Sequence, residues 1–128
     1  MKKEIIKTEN APAPIGPYNQ AIKTESTLYV SGQIAINPIT GEMAMESIQE
    51  ETEMVMENLK AVVEAAGLTM ENIVKTSIFI SNMNNSTQIN EVYGSYFSKD
   101  FPARETVEVS VLPKNVNVEI SCIAMRKG

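Results

Sequence analysis

The chain contains no histidine. Every Ser-His-Asp, Cys-His and His-ligated zinc arrangement is therefore excluded, and so is the usual acid–base group near neutral pH. Any proton shuttle must use a carboxylate, a tyrosine, a lysine, the backbone or water. One cysteine, Cys122, allows neither an intrachain disulfide nor a CxxC redox or zinc motif. No run approaches the roughly 18 apolar residues of a membrane span. The basic start is followed by no apolar stretch, so nothing reads as a signal peptide, and a cytoplasmic location is expected. Neither GxGxxG nor a Walker loop occurs. Basic residues are in deficit: 11 Lys+Arg against 16 Asp+Glu give a formal charge of −5 and a pI of about 4.8. That is the wrong sign for a protein living on phosphate backbones, so nucleic acid is not an expected partner, and neither is a membrane.

What is present is globular. The 128 residues are 43% hydrophobic and 21% charged, which suits one domain over 1–128 with one core. Residues 9–20 carry Pro12, Pro14 and Pro17 and read as a stiff N-terminal loop. A strand is expected near Ile5, then strands over 20–24 and 27–34 with a turn at Glu25-Ser26. In the second of these, Leu28, Val30, Gly32 and Ile34 alternate with Tyr29, Ser31 and Gln33. Ser47 and Glu50 fit a capping box; Ile48, Val55, Leu59, Val62, Val63 and Ala66 recur at helical spacing until Gly67. A β-branched strand follows over 72–81, with Val74, Ile78 and Ile80 set against Ile73 and Phe79. A second helix is expected over 86–98, with Ile89, Val92, Tyr93, Tyr96 and Phe97 as its buried stripe. Strands over 105–112 and 116–125 flank a turn at Pro113-Lys114-Asn115. Two helices cover only one face of such a sheet. The apolar residues left on the other face point to a homo-oligomer.

Five motifs carry a resemblance over nearly the whole chain. They are Ile15-Gly16-Pro17-Tyr18, Ser31-Gly32-Gln33, Asn37-Pro38-Ile39-Thr40-Gly41-Glu42, Val63-Glu64-Ala65-Ala66-Gly67-Leu68, and Phe101-Pro102-Ala103-Arg104. The last continues through Val107-Glu108-Val109, Leu112-Pro113-Lys114 and Val118-Glu119-Ile120. Together they resemble the reactive intermediate deaminases, the Rid or YjgF family. The resemblance implies an α+β, chorismate-mutase-like fold: a six-stranded mixed sheet with two helices on one face. It also implies a homotrimer with a central barrel and a ligand cleft at each subunit interface. The implied reaction is hydrolysis of 2-imino and enamine acids such as 2-aminoacrylate and 2-aminocrotonate to 2-keto acids and ammonia, with no cofactor.

The resemblance assigns roles residue by residue. Arg104 becomes the carboxylate anchor, its planar fork giving two parallel charge-assisted hydrogen bonds; read alone it is a surface ion-pair arginine. Glu119 becomes the partner of the attacking water, and read alone it is a carboxylate paired across an interface. Tyr18 is a hydrogen-bonding phenol or a packing residue of its loop. Ser31 and Asn90 match cleft positions but are also ordinary local hydrogen-bonders, and Gly32 permits a close approach. Two positions depart from the family pattern of a small residue and then cysteine: Glu105 and Thr106. If the stretch is extended, Glu105 points away from Arg104, toward Lys114 or a neighbouring subunit. Thr106 then shares Arg104's side and lines the pocket, where water hydrolysis needs no thiol. Cys122 reads as a buried structural thiol, and Glu50, Glu53, Glu57 and Glu64 as a solvated helix face rather than a metal site. A non-catalytic module binding 2-ketobutyrate-like carboxylates is the alternative function, and a ribonuclease activity is opposed by the acidic charge.

Overall fold

A computed structural model describes residues 2–127. Six strands and two main helices follow the expected order: β1 (Lys3–Ile6), β2 (Ala21–Thr24), β3 (Thr27–Gln33), α1 (Ile48–Ala65), β4 (Ile73–Ile80), α2 (Ser86–Gly94), β5 (Ala103–Glu108) and β6 (Val118–Met125). They form one six-stranded sheet in the order β1-β2-β3-β6-β4-β5. Only β4 and β5 run parallel, joined through α2, so the sheet is mixed and the α+β architecture is the one the sequence implies.

Helix α1 starts where Ser47 accepts a hydrogen bond from the Glu50 amide, at 3.0 Å. It stops at Gly67, whose φ of +82° lets Leu68 bond back to the Val63 carbonyl. Its apolar stripe meets Leu28, Val30, Ile78, Ile80 and Ile120 in the main core. The second helix is shorter than its apolar stripe suggests. Beyond Gly94 the amides of Ser95, Tyr96 and Phe97 each bond three residues back, tightening the chain while Tyr96 and Phe97 stay packed on the core.

Two bulges correct the strand patterns. In β3, the four residues from Val30 to Gln33 stand opposite three of β6, Cys122 to Ile120. The extra residue reverses the alternation: Gln33 joins the buried side opposite Ile120, while Gly32 turns toward Glu119. A second irregularity between Ile73 and Lys75 buries Ile73 alongside Thr76, Ile78 and Ile80 and leaves Val74 45% exposed, not grouped with Ile78 as the simple alternation has it. Strand β5 also begins earlier than expected, at Ala103, because Ala103 and Arg104 pair with Lys75 and Thr76.

The face opposite the helices holds a small cluster of Ile34, Leu112 and Val116 with Phe79 and Val109. Beyond it the same face carries an open row. Ile5, Ile22, Tyr29 and Ile123 are register partners across four strands, and Ile5 and Tyr29 are half exposed. No helix among the described residues is long and apolar enough to cross a membrane.

Candidate active site

The β3 bulge builds the first cluster. Glu119 projects from β6 beneath Gly32, where a Cβ would fall 2.8 Å from its carboxyl carbon. Only glycine leaves that space. Tyr18, Ser31, Gly32, Pro113 and Glu119 line a concavity of about 360 Å³. Burial raises the Glu119 carboxyl above the usual carboxylate range, which suits a group that must take and return a proton. The Ser31 hydroxyl donates to the Asn19 carbonyl at 2.6 Å, and the Ser31 amide to Gln20. Ser31 thus ties the proline-rich loop to β3. Within that loop the Tyr18 hydroxyl accepts the Ile15 amide at 3.3 Å while the ring stays 47% exposed.

A second cluster lies on the other face of the sheet. Arg104, on edge strand β5, reaches over α2: its Nη1 donates to Asn90 Oδ1 at 2.7 Å, and its Cζ stands 5.3 Å from the Tyr93 ring centroid. The Tyr93 hydroxyl is 2.7 Å from Thr76 Oγ1. Thr106 follows on the same side as Arg104, and its Oγ1 is buried without a hydrogen-bond partner, the one such side-chain atom among the described residues. Glu105 points to the opposite face, where it takes a hydrogen bond from Ser77 and pairs with Lys75 at 3.1 Å, not with Lys114. The Ser77 hydroxyl and then Lys75 hold its carboxyl below the usual range.

One chain therefore gathers Tyr18, Ser31, Gly32 and Glu119, and separately gathers Arg104, Asn90 and Thr106. Register explains the separation: Arg104 aligns with Thr76 and Cys122 under the helices, whereas Glu119 aligns with Phe79 on the other face. A larger groove of about 570 Å³ between Met70, Tyr96, Lys99 and Lys127 holds none of these residues. Glu50, Glu53, Glu57 and Glu64 are exposed, and burial pushes the Cys122 thiol up to about 12.

Polar groups that sequence reasoning missed support both clusters. Glu51, fully buried, accepts the Asn117 amide at 2.8 Å, the Asn117 side chain at 2.7 Å and the Val118 amide, fixing the start of β6. Gln20 donates to the carbonyls of Thr8, Ala11 and Pro12 and accepts the Thr8 amide, which stiffens the loop bearing Tyr18. The available signal for Glu51 was its place in the apolar stripe, four residues before Val55.

A family model described as Endoribonuclease L-PSP matches residues 8–126. A RutC family protein of Pyrococcus horikoshii is 49% identical over 125 residues, spanning 98% of this chain and 99% of that protein. A 2-iminobutanoate/2-iminopropanoate deaminase of Dermatophagoides farinae is 49% identical over 123 residues, spanning 96% of each. The crystal structure of E. coli TdcF with bound serine superposes with a TM-score of 0.94 at 42% identity, covering 97% of this chain and 99% of that one. The chain belongs to the endoribonuclease L-PSP family, the Rid (YjgF) family whose motifs its sequence carries.

Proposed function

We propose that this protein hydrolyses short 2-imino and enamine acids to 2-keto acids and ammonia, at a cleft shared by two copies of a homotrimer and without a cofactor. The observation carrying this reading is the division of the site: a guanidinium held on one sheet face and a carboxylate with raised proton affinity on the other. A second copy brings Arg104 of one chain opposite Glu119 of the next. The relatives named as iminobutanoate deaminases, and a neighbour holding serine, fit a small carboxylate as ligand.

The chemistry asks little of the protein. Arg104 takes the substrate carboxylate and so fixes the plane of the adjacent C=N bond. Water adds its oxygen to that electrophilic carbon while Glu119 takes the water's proton and passes it to the nitrogen, giving a carbinolamine; Glu119 then takes the new hydroxyl's proton and delivers it to the amino group. The C–N bond then breaks, ammonia departs, and the carbonyl of the keto acid remains. Tyr18 supplies a hydrogen bond to carboxylate or water, whereas the Thr106 hydroxyl expected to line the pocket is buried.

The test couples a threonine dehydratase to the purified protein and follows 2-ketobutyrate release from the transient imine. Wild type accelerates release, and Arg104→Ala at matched concentration and confirmed folding loses at least about 100-fold. No acceleration by a wild type that still binds 2-ketobutyrate would favour a carboxylate-binding module instead.

A further inference from the structure

We propose that Tyr93, braced by Thr76, is a positioning residue that holds Arg104 with its Nε–Nη2 edge free for a carboxylate. The proposal rests on the reading of Arg104 as the substrate anchor. An arginine on an exposed edge strand samples many rotamers, and binding must then order it. Here the arm is already ordered. Asn90 and Tyr93 stand three residues apart on one face of α2, where the first takes Nη1 and the second lies beneath the guanidinium, within the roughly 6 Å over which a ring face attracts a cation.

The ring is itself fixed. Tyr93 is only 4% exposed, its hydroxyl bonds the fully buried Thr76, and Phe97 packs tilted against it at 5.1 Å between centroids. Phe97 in turn meets Phe101 edge-on at 6.1 Å, which docks the entrance of β5 on the turn that follows α2. Thr76 is the register partner of Arg104 across the parallel β4–β5 pair. The same position on β4 therefore supports the base of the arm and the ring under its tip. Nη1 is held by Asn90, while Nε and Nη2 make no hydrogen bond among the described residues and form the side-on fork that a carboxylate accepts.

The test measures 2-ketobutyrate affinity by calorimetry, KM and kcat in the coupled assay, and the Arg104 Nε–H signal in a 1H–15N spectrum. Tyr93→Leu removes the ring face and is expected to raise Kd and KM about 5- to 30-fold with kcat within about threefold. It also moves the Nε–H signal downfield as ring-current shielding is lost. Tyr93→Phe and Thr76→Val keep a ring in place but unbrace it, so their Kd rises less and the Nε–H signal broadens. A folded Tyr93→Leu protein with unchanged Kd overturns the proposal. A wild-type Nε–H signal without ring-current shift overturns it too, even if that variant fails to fold. Binding of 2-ketobutyrate without imine turnover defeats the deaminase reading and leaves Tyr93 in its role, whereas neither binding nor turnover by wild type overturns both.

Discussion

At Gly32 the backbone passes so close to Glu119 that a methyl group would lie 2.8 Å from the carboxyl carbon and 3.0 Å from Cγ. The atoms in the way are the movable end of a side chain, so Gly32→Ala displaces Glu119 rather than the strand. Urea unfolding is expected to show a loss of about 1 kcal/mol, while imine turnover falls on the order of 100-fold from the misplaced carboxylate. In the proposed reaction, stability and function pull apart at Glu119. Its folded-state pKa is raised by burial, so the native state is favoured when it is protonated and disfavoured once it ionises. Glu119→Gln should therefore melt higher than wild type near pH 7. The gain should shrink as pH falls through the carboxylate range, and turnover should drop about 100-fold or more. The candidate residues Arg104, Glu119 and Tyr18 are legible in the sequence because each sits in a motif of the family. Tyr93 was legible only as one of a buried stripe, because nothing in a helical pattern says which ring lies under a guanidinium from another strand.

Among the elements, the helices and strands followed from periodicity and caps, and the departures have local causes. Alternation does not reveal an inserted residue, so it puts Gly32, Gln33, Ile73 and Val74 on the wrong faces, and the pairing with β6 sets their phase. Buried polar residues were hidden for the opposite reason: Glu51 and Asn58 sit in the apolar stripe of α1 but bond backbone groups far away in the chain. Glu51 joins the first turn of α1 to the start of β6 through three donors. Glu51→Ala leaves the buried Val118 amide and the part-buried Asn117 donors unpaired, and chemical unfolding at neutral pH is expected to show a loss of about 3 kcal/mol.

For the whole molecule, the decisive fact is that Arg104 and Glu119 lie on different faces of one sheet, so one chain alone does not bring them together. In the proposed cyclic assembly each cleft would take its guanidinium from one chain and its carboxylate from the next. Arg104→Ala and Glu119→Gln chains, each inactive alone, should therefore complement when refolded together in equal amounts. Random mixing leaves roughly a quarter of the clefts with both groups intact, so activity should return to about that share of wild type. Activity that stays at the level of the separate variants would mean both groups are needed within one chain.

The paired bulges bear on how the sheet finds its register during folding. Strand β6 lies between β3 and β4, and each neighbour changes phase against it at a different height, near Cys122 on one side and near Ala124 on the other. A uniformly alternating strand that slips by two residues keeps its apolar side inward and resembles the correct pairing. Here a slip of two strands the phase change opposite the wrong residues, turning Gly32 away from Glu119 or placing Gln33 outside the core. The irregularities that defeat simple sequence reading thus act as a combination lock on the central strand, admitting one alignment with each neighbour and leaving few near-native mispairings in which to become trapped.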